Sequence, residues 1–169
     1  MSRPTTNDYA SFYHKYVMNV QEDDVKKAFE NQFAVLDSFL ASIPDSKADH
    51  AYAEGKWTVK QLLQHMIDAE RIFTHRALWF ARQSAAPLSG FDENEYAAIA
   101  DVSKRTIQSL ADEFKAVRKS SEFLFNSFFW KELNTSGMAN NNSITVNAIG
   151  FVTLGHFLHH KRILEERYL

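Results

Sequence analysis

Four stretches of this chain repeat apolar residues every three or four positions, and no proline falls inside any of them. Such a period places the apolar side chains on one face of an α-helix and confines the chain to packing that face against other helices. In residues 23–43 the stripe is Val25, Phe29, Phe33, Leu36, Leu40 and Ile43, with Glu22, Asp23 and Asp24 at the start, where the helix dipole favours acids, and Pro44 as the stop. In residues 58–82 it is Leu62, Ala69, Ile72, Phe73 and Phe80, opened by a Thr58–Gln61 capping box with Trp57 stapling onto Leu62. Residues 103–128 carry Ile107, Leu110, Phe114, Val117, Leu124 and Phe128. Residues 145–168 carry Ile149, Val152, His156, His160 and Ile163. Alternating β-branched runs bounded by turn residues are nearly absent, so strands are not expected. The reading is all-α, a four-helix bundle. About twenty residues, 83–102, separate the second and third helices, enough chain to let these two run parallel.

At 169 residues the chain fits one domain, with residues 1–20 as an N-terminal extension packing on the bundle. The formal net charge of -2 and the lack of a Lys/Arg cluster argue against a nucleic-acid partner. Without cysteine there is no disulfide, no zinc–thiolate site and no cysteine nucleophile, which fits a reducing cytoplasm. No apolar run reaches the length that spans a bilayer, and the first residues do not read as a signal peptide. A cytoplasmic protein with no membrane partner is expected.

Of the seven histidines, three fall in Gly155-His156-Phe157-Leu158-His159-His160. At about 100° per residue, His156 and His160 share the azimuth of Ile149 and Ile163 and face the core one turn apart. An i, i+4 pair of this kind aims two imidazole nitrogens at one point, as in zinc-binding helices. His65 falls on the buried stripe of the second helix and supplies a third nitrogen if the two helices meet at the right height. A three-histidine set leaves a coordination position open for water or substrate. The plain alternative is that each is a hydrogen-bonded core histidine, although two adjacent buried imidazoles then need separate partners.

The chain resembles the DinB-like (DNA-damage-inducible, YfiT-type) family of metalloenzymes. The residues that carry the resemblance are Gly55-Lys56-Trp57-Thr58-Val59, His65 through Arg71, Arg76-Ala77-Leu78, Pro87 with Phe91-Asp92, the Gly155–His160 run and Glu166-Arg167-Tyr168-Leu169. The resemblance implies a bundle in up-down-down-up order and a divalent metal (zinc, nickel or iron) on His65, His156 and His160. It also implies a homodimer, for which Phe151, Leu154 and Leu158 offer an apolar stripe, unless loops or the N-terminal segment cover it. Relatives that look like thiol-S-transferases make a low-molecular-weight thiol the leading cosubstrate, activated as thiolate by the metal. The alternatives are a metal-dependent hydrolase using metal-bound hydroxide, and a non-catalytic metal-binding stress protein.

Asp68 and His159 are the candidate catalytic groups for proton transfer, with a capping or salt-bridge role the plainer use of Asp68. Arg76 and Arg167 fall on core-facing azimuths and are expected to pair with Glu70 or Asp68, with an anionic substrate as the alternative partner. His75 lies some 15 Å along the helix from His65, too far for a shared metal. Trp57, Trp79 and Trp130 are read as packing.

Overall fold

The computed structural model describes residues 2–83 and 86–169. After a 3₁₀ turn, Ser11–Tyr13, and the one-turn α1 (His14–Val17), four long helices follow the predicted stripes: α2 (Val25–Ser42), α3 (Val59–Ala81), α5 (Ile107–Ser127) and α7 (Val146–Arg167). Each starts on a side-chain cap that satisfies amides the first turn leaves free. Asp24 accepts from the amides of Lys26 and Lys27, and Thr145 from that of Ala148. Thr58 and Gln61 form the reciprocal box expected from the sequence, and Thr106 with Ser109 forms a second one. That second box is why α5 begins at Ile107 rather than near Ser103.

Contacts between helices set their directions. Phe29 stacks on Phe125 while Lys115 reaches back to Asp37, so α2 and α5 are antiparallel. Arg105 bonds Gln64, just before α5 begins, and farther along Arg118 bonds Glu70, so α3 and α5 are parallel. The Tyr168 hydroxyl meets the Trp57 carbonyl whereas Phe73 meets His156, so α3 and α7 are antiparallel. Val25 lies against Gly150 and Phe39 against Phe157, so α2 and α7 are parallel. Together these pairings run up-down-down-up.

Two features depart from the helical reading. The long connection, of which residues 84 and 85 lie outside the described residues, carries a short α4 (Glu93–Ile99). After α6 (Trp130–Leu133) comes a small antiparallel hairpin, β1 (Ser136–Ala139) with β2 (Asn142–Thr145). Its two-residue turn, Asn140-Asn141, holds both residues at positive φ, 50° and 58°, the mirror-image turn that matches strand twist. The polar run at 140–143 is therefore a hairpin tip. The connection docks on it: the Leu88 amide donates to the Met138 carbonyl and the Asn140 amide to the Leu88 carbonyl.

The N-terminal segment covers α7. Tyr9, Tyr13, Val17 and Val20 are buried, and Arg3 ties the segment down through the carbonyls of Val17, Val20, Gln21 and Glu22. A Cβ at Gly155 would stand 1.9 Å from the Tyr16 carbonyl oxygen, so the glycine is what lets the two backbones touch. This segment buries Phe151 and Leu154 completely. Of the stripe expected to serve a homodimer, Phe151 and Leu154 are thus covered by the chain itself, while Leu158 is partly buried. No helix among the described residues is long and apolar enough to cross a membrane.

Candidate metal centre

Antiparallel packing brings the early part of α3 against the middle of α7, and this crossing gathers the histidines. His65 and His156 are buried and His160 is partly so. His156 Nε2 stands 3.1 Å from His65 Nε2 and 3.1 Å from His160 Nε2. All three ligand atoms lie within 4.8 Å of one another. Two nitrogens bound at about 2.05 Å to one tetrahedral ion stand about 3.3 Å apart, close to the two 3.1 Å separations at His156. The donor set, three imidazoles and no thiolate, suits zinc, nickel or iron.

Electrostatics keep the rings in the ligand form. Burial lowers His65 to about 4. Burial first, then the neighbouring His65, His159 and Lys15, lowers His160 to about 2. His156 lies well below its ordinary value, again mainly through burial. All three are neutral at pH 7, with lone pairs free for an ion. His160 Nδ1 is buried without a hydrogen-bond partner, so packing against His159 and the helix itself, rather than an outer acceptor, orient that ring.

The histidines line a cleft of about 320 Å³. Phe12, Tyr13, Tyr16, Trp57 and Phe73 make its aromatic walls, and Gly90, Phe91, Glu93 and Asn140 close it from the connection and the hairpin. Trp57 is therefore not plain packing: its ring sits 4.8 Å from that of His65. Tyr16 lies edge-on to both His156 and His159, 5.4 Å from each.

The other sequence candidates fall elsewhere. Asp68 does not line the cleft; three residues past His65, its azimuth turns it toward α5, where it accepts from Gln64 and lies 3.8 Å from Arg71. His159 packs at the rim between Tyr16 and His160 and does not line the cleft. Glu70 pairs with Arg118, not with Arg76. Arg167 is exposed beside Tyr52. Trp130 is 73% exposed. Sequence reasoning missed Glu93, the one carboxylate on the cleft wall. Its acidic stretch, 91–96, is visible in the sequence, but its place on the cleft wall follows from the docking of the connection on the hairpin.

An all-α bundle with a histidine triad lining an aromatic cleft defines the class of protein in hand. The chain belongs to the DinB superfamily, whose family model matches residues 28–164. YfiT from Bacillus subtilis, described as "a probable metal-dependent hydrolase with an unusual four-helix bundle topology", superposes with a TM-score of 0.70. That alignment covers 86% of this chain and 89% of YfiT at 17% identity, a likeness of fold. A Geobacillus thermodenitrificans (strain NG80-2) protein named "Putative metal-dependent hydrolase" is 29% identical over 73 residues. The match takes in 43% of this chain and spans 41% of that relative's length.

Proposed function

We propose that this protein is a metal-dependent hydrolase whose single divalent ion is held by the Nε2 atoms of His65, His156 and His160. The observation that carries the reading is that His156 Nε2 stands 3.1 Å from a nitrogen of each other histidine, all three within 4.8 Å of one another on the wall of a cleft. A bound ion would supply Lewis acidity and a water of lowered pKa. The chain's own residues do the rest. The two helices hold three neutral imidazoles so that one side of the triangle faces the cleft. Trp57, Tyr16 and Phe73 exclude bulk water from its walls. Glu93 faces the same space and is the carboxylate available to accept a proton.

The order of the two enzymatic readings reverses from the sequence expectation. Both named relatives carry a hydrolase description, and nothing in the cleft or the comparisons supports thiol transfer. The test is a panel of small esters and amides, offered to protein loaded with zinc, nickel or iron, to chelator-treated protein and to His156→Ala. Hydrolysis that needs both the metal and His156 supports the reading. Metal-dependent consumption of a thiol by monochlorobimane, without ester or amide turnover, overturns it in favour of transfer.

A further inference from the structure

The cleft wall also holds a buried cation that takes part in no ion pair among the described residues. Arg76 is 4% exposed, yet no carboxylate among the described residues lies within salt-bridge distance of it. Its partners are neutral. Nη2 donates to the Ser89 carbonyl at 3.0 Å, the guanidinium bonds the Tyr13 side chain, and it lies 5.8 Å from the Phe91 ring centre. A guanidinium has five donors and cannot shed its charge, so burying it with neutral partners alone is costly. By contrast, the other buried arginine, Arg118 on α5, receives the bidentate Glu70 from α3.

We infer that Arg76 is a specificity-determining residue that binds a carboxylate on the substrate, whose reacting group then lies at the histidines. Arg76 follows His65 by eleven residues on α3, and both line the same cleft. Among the described residues Arg76 is the only lysine or arginine lining it, which matches a monoanion rather than a doubly charged phosphate. The aromatic walls fit an apolar body. The substrate class is thus a small carboxylic acid with a hydrophobic spacer and a hydrolysable bond distal to the acid. Glu93, on the cleft wall and exposed, disfavours a second negative charge nearby.

This deepens the hydrolase reading and rests on it for the reaction, but its test needs no metal. Chelator-treated protein at pH 8 is titrated with 4-phenylbutyrate and with its neutral isostere 4-phenylbutanamide, by calorimetry and by the Arg76 Nε–Hε NMR signal. The acid is expected to bind about tenfold or more tightly than the amide, the worth of a charge-assisted hydrogen bond, and to shift that signal. In Arg76→Gln the preference disappears, and Arg76→Lys restores part of it. Equal affinities, no binding of either probe, or a preference that survives Arg76→Gln overturns the assignment. The Arg76 signal in the unmodified protein decides the matter if the variants fail to fold. Acid preference without stoichiometric metal binding sinks the metal reading and leaves Arg76 standing; the converse result sinks only Arg76.

Discussion

Two of the places where the bundle buries polar side chains do so in opposite ways. Between α3 and α5, Arg118 (0% exposed) donates from Nε and Nη2 to both oxygens of Glu70 (3% exposed), and the Ser121 hydroxyl adds a third bond at 2.7 Å. Charge there is matched by charge. Between α3 and α7, His65, His156 and His160 face one another with no carboxylate in the group, and Arg76 lines the same cleft unmatched. The first arrangement matches the charge internally, although Arg118 Nη1 is left without a hydrogen-bond partner, and it ties α3 to α5. The second leaves its electrostatic need to something that enters from solvent. One helix, α3, carries both, with Glu70 only five residues past His65. The lesson is that burial alone does not mark function; burial without internal compensation does.

The contrast is sharpest in mutational cost. Glu70→Gln leaves Arg118 charged in a sealed site and should lower unfolding free energy by about 3–5 kcal/mol, read from urea denaturation. A loss below about 1 kcal/mol would mean the pair is not buried as described. A double replacement of Arg118 and Glu70 by apolar residues should be much milder than either single change.

The histidine region should respond to acid instead. His65, held neutral by burial, has a folded value of about 4 against an ordinary 6.5. Below pH 6.5 the unfolded chain takes up a proton that the folded chain refuses. Stability of metal-free protein should therefore fall as pH drops from 6.5 toward 4, by up to about 1.4 kcal/mol per unit for this residue. Urea midpoints flat across that window, or unchanged by His65→Gln, would break the assignment.

Metal should act on one region only. Free ion at a hundred times its dissociation constant should stabilise the protein by about 2.7 kcal/mol. The gain should vanish in His156→Ala and persist in Asp68→Asn, because Asp68 turns toward Gln64 and Arg71 rather than the cleft. A smaller effect belongs to the start of α3. Thr58→Ala removes the cap and should cost about 1 kcal/mol by thermal or urea unfolding, with weaker metal binding as Trp57 and His65 loosen.

Much of this was legible in the sequence, for identifiable reasons. The four long helices announce themselves through a 3.6-residue period and their caps, which are local signals. The convergence of His156 and His160 follows from helical phase alone. That His65 meets them depends on the crossing of α3 and α7, which no local pattern encodes. The hairpin escapes because its strands have four residues each and its turn is Asn-Asn rather than the stronger Asn-Gly. The cleft wall escapes with it, since Gly90, Phe91 and Glu93 reach the site only by docking on that hairpin. The pairing of Glu70 with Arg118 rather than Arg76 depends on which helix faces α3 at that level. The apolar stripe Phe151–Leu154 reads equally well as a dimer face or as the bed of the N-terminal segment. Only the close approach at Gly155 separates the two.

The central claim is that three imidazoles from two helices hold one ion. X-ray absorption on zinc-loaded protein, with metal content measured beside it, tests this most directly. One zinc per chain with three nitrogen ligands at about 2.0–2.1 Å is expected, with loss of that signature in His156→Ala. Zinc held mainly by oxygen ligands, or a stoichiometry indifferent to His156, would contradict it.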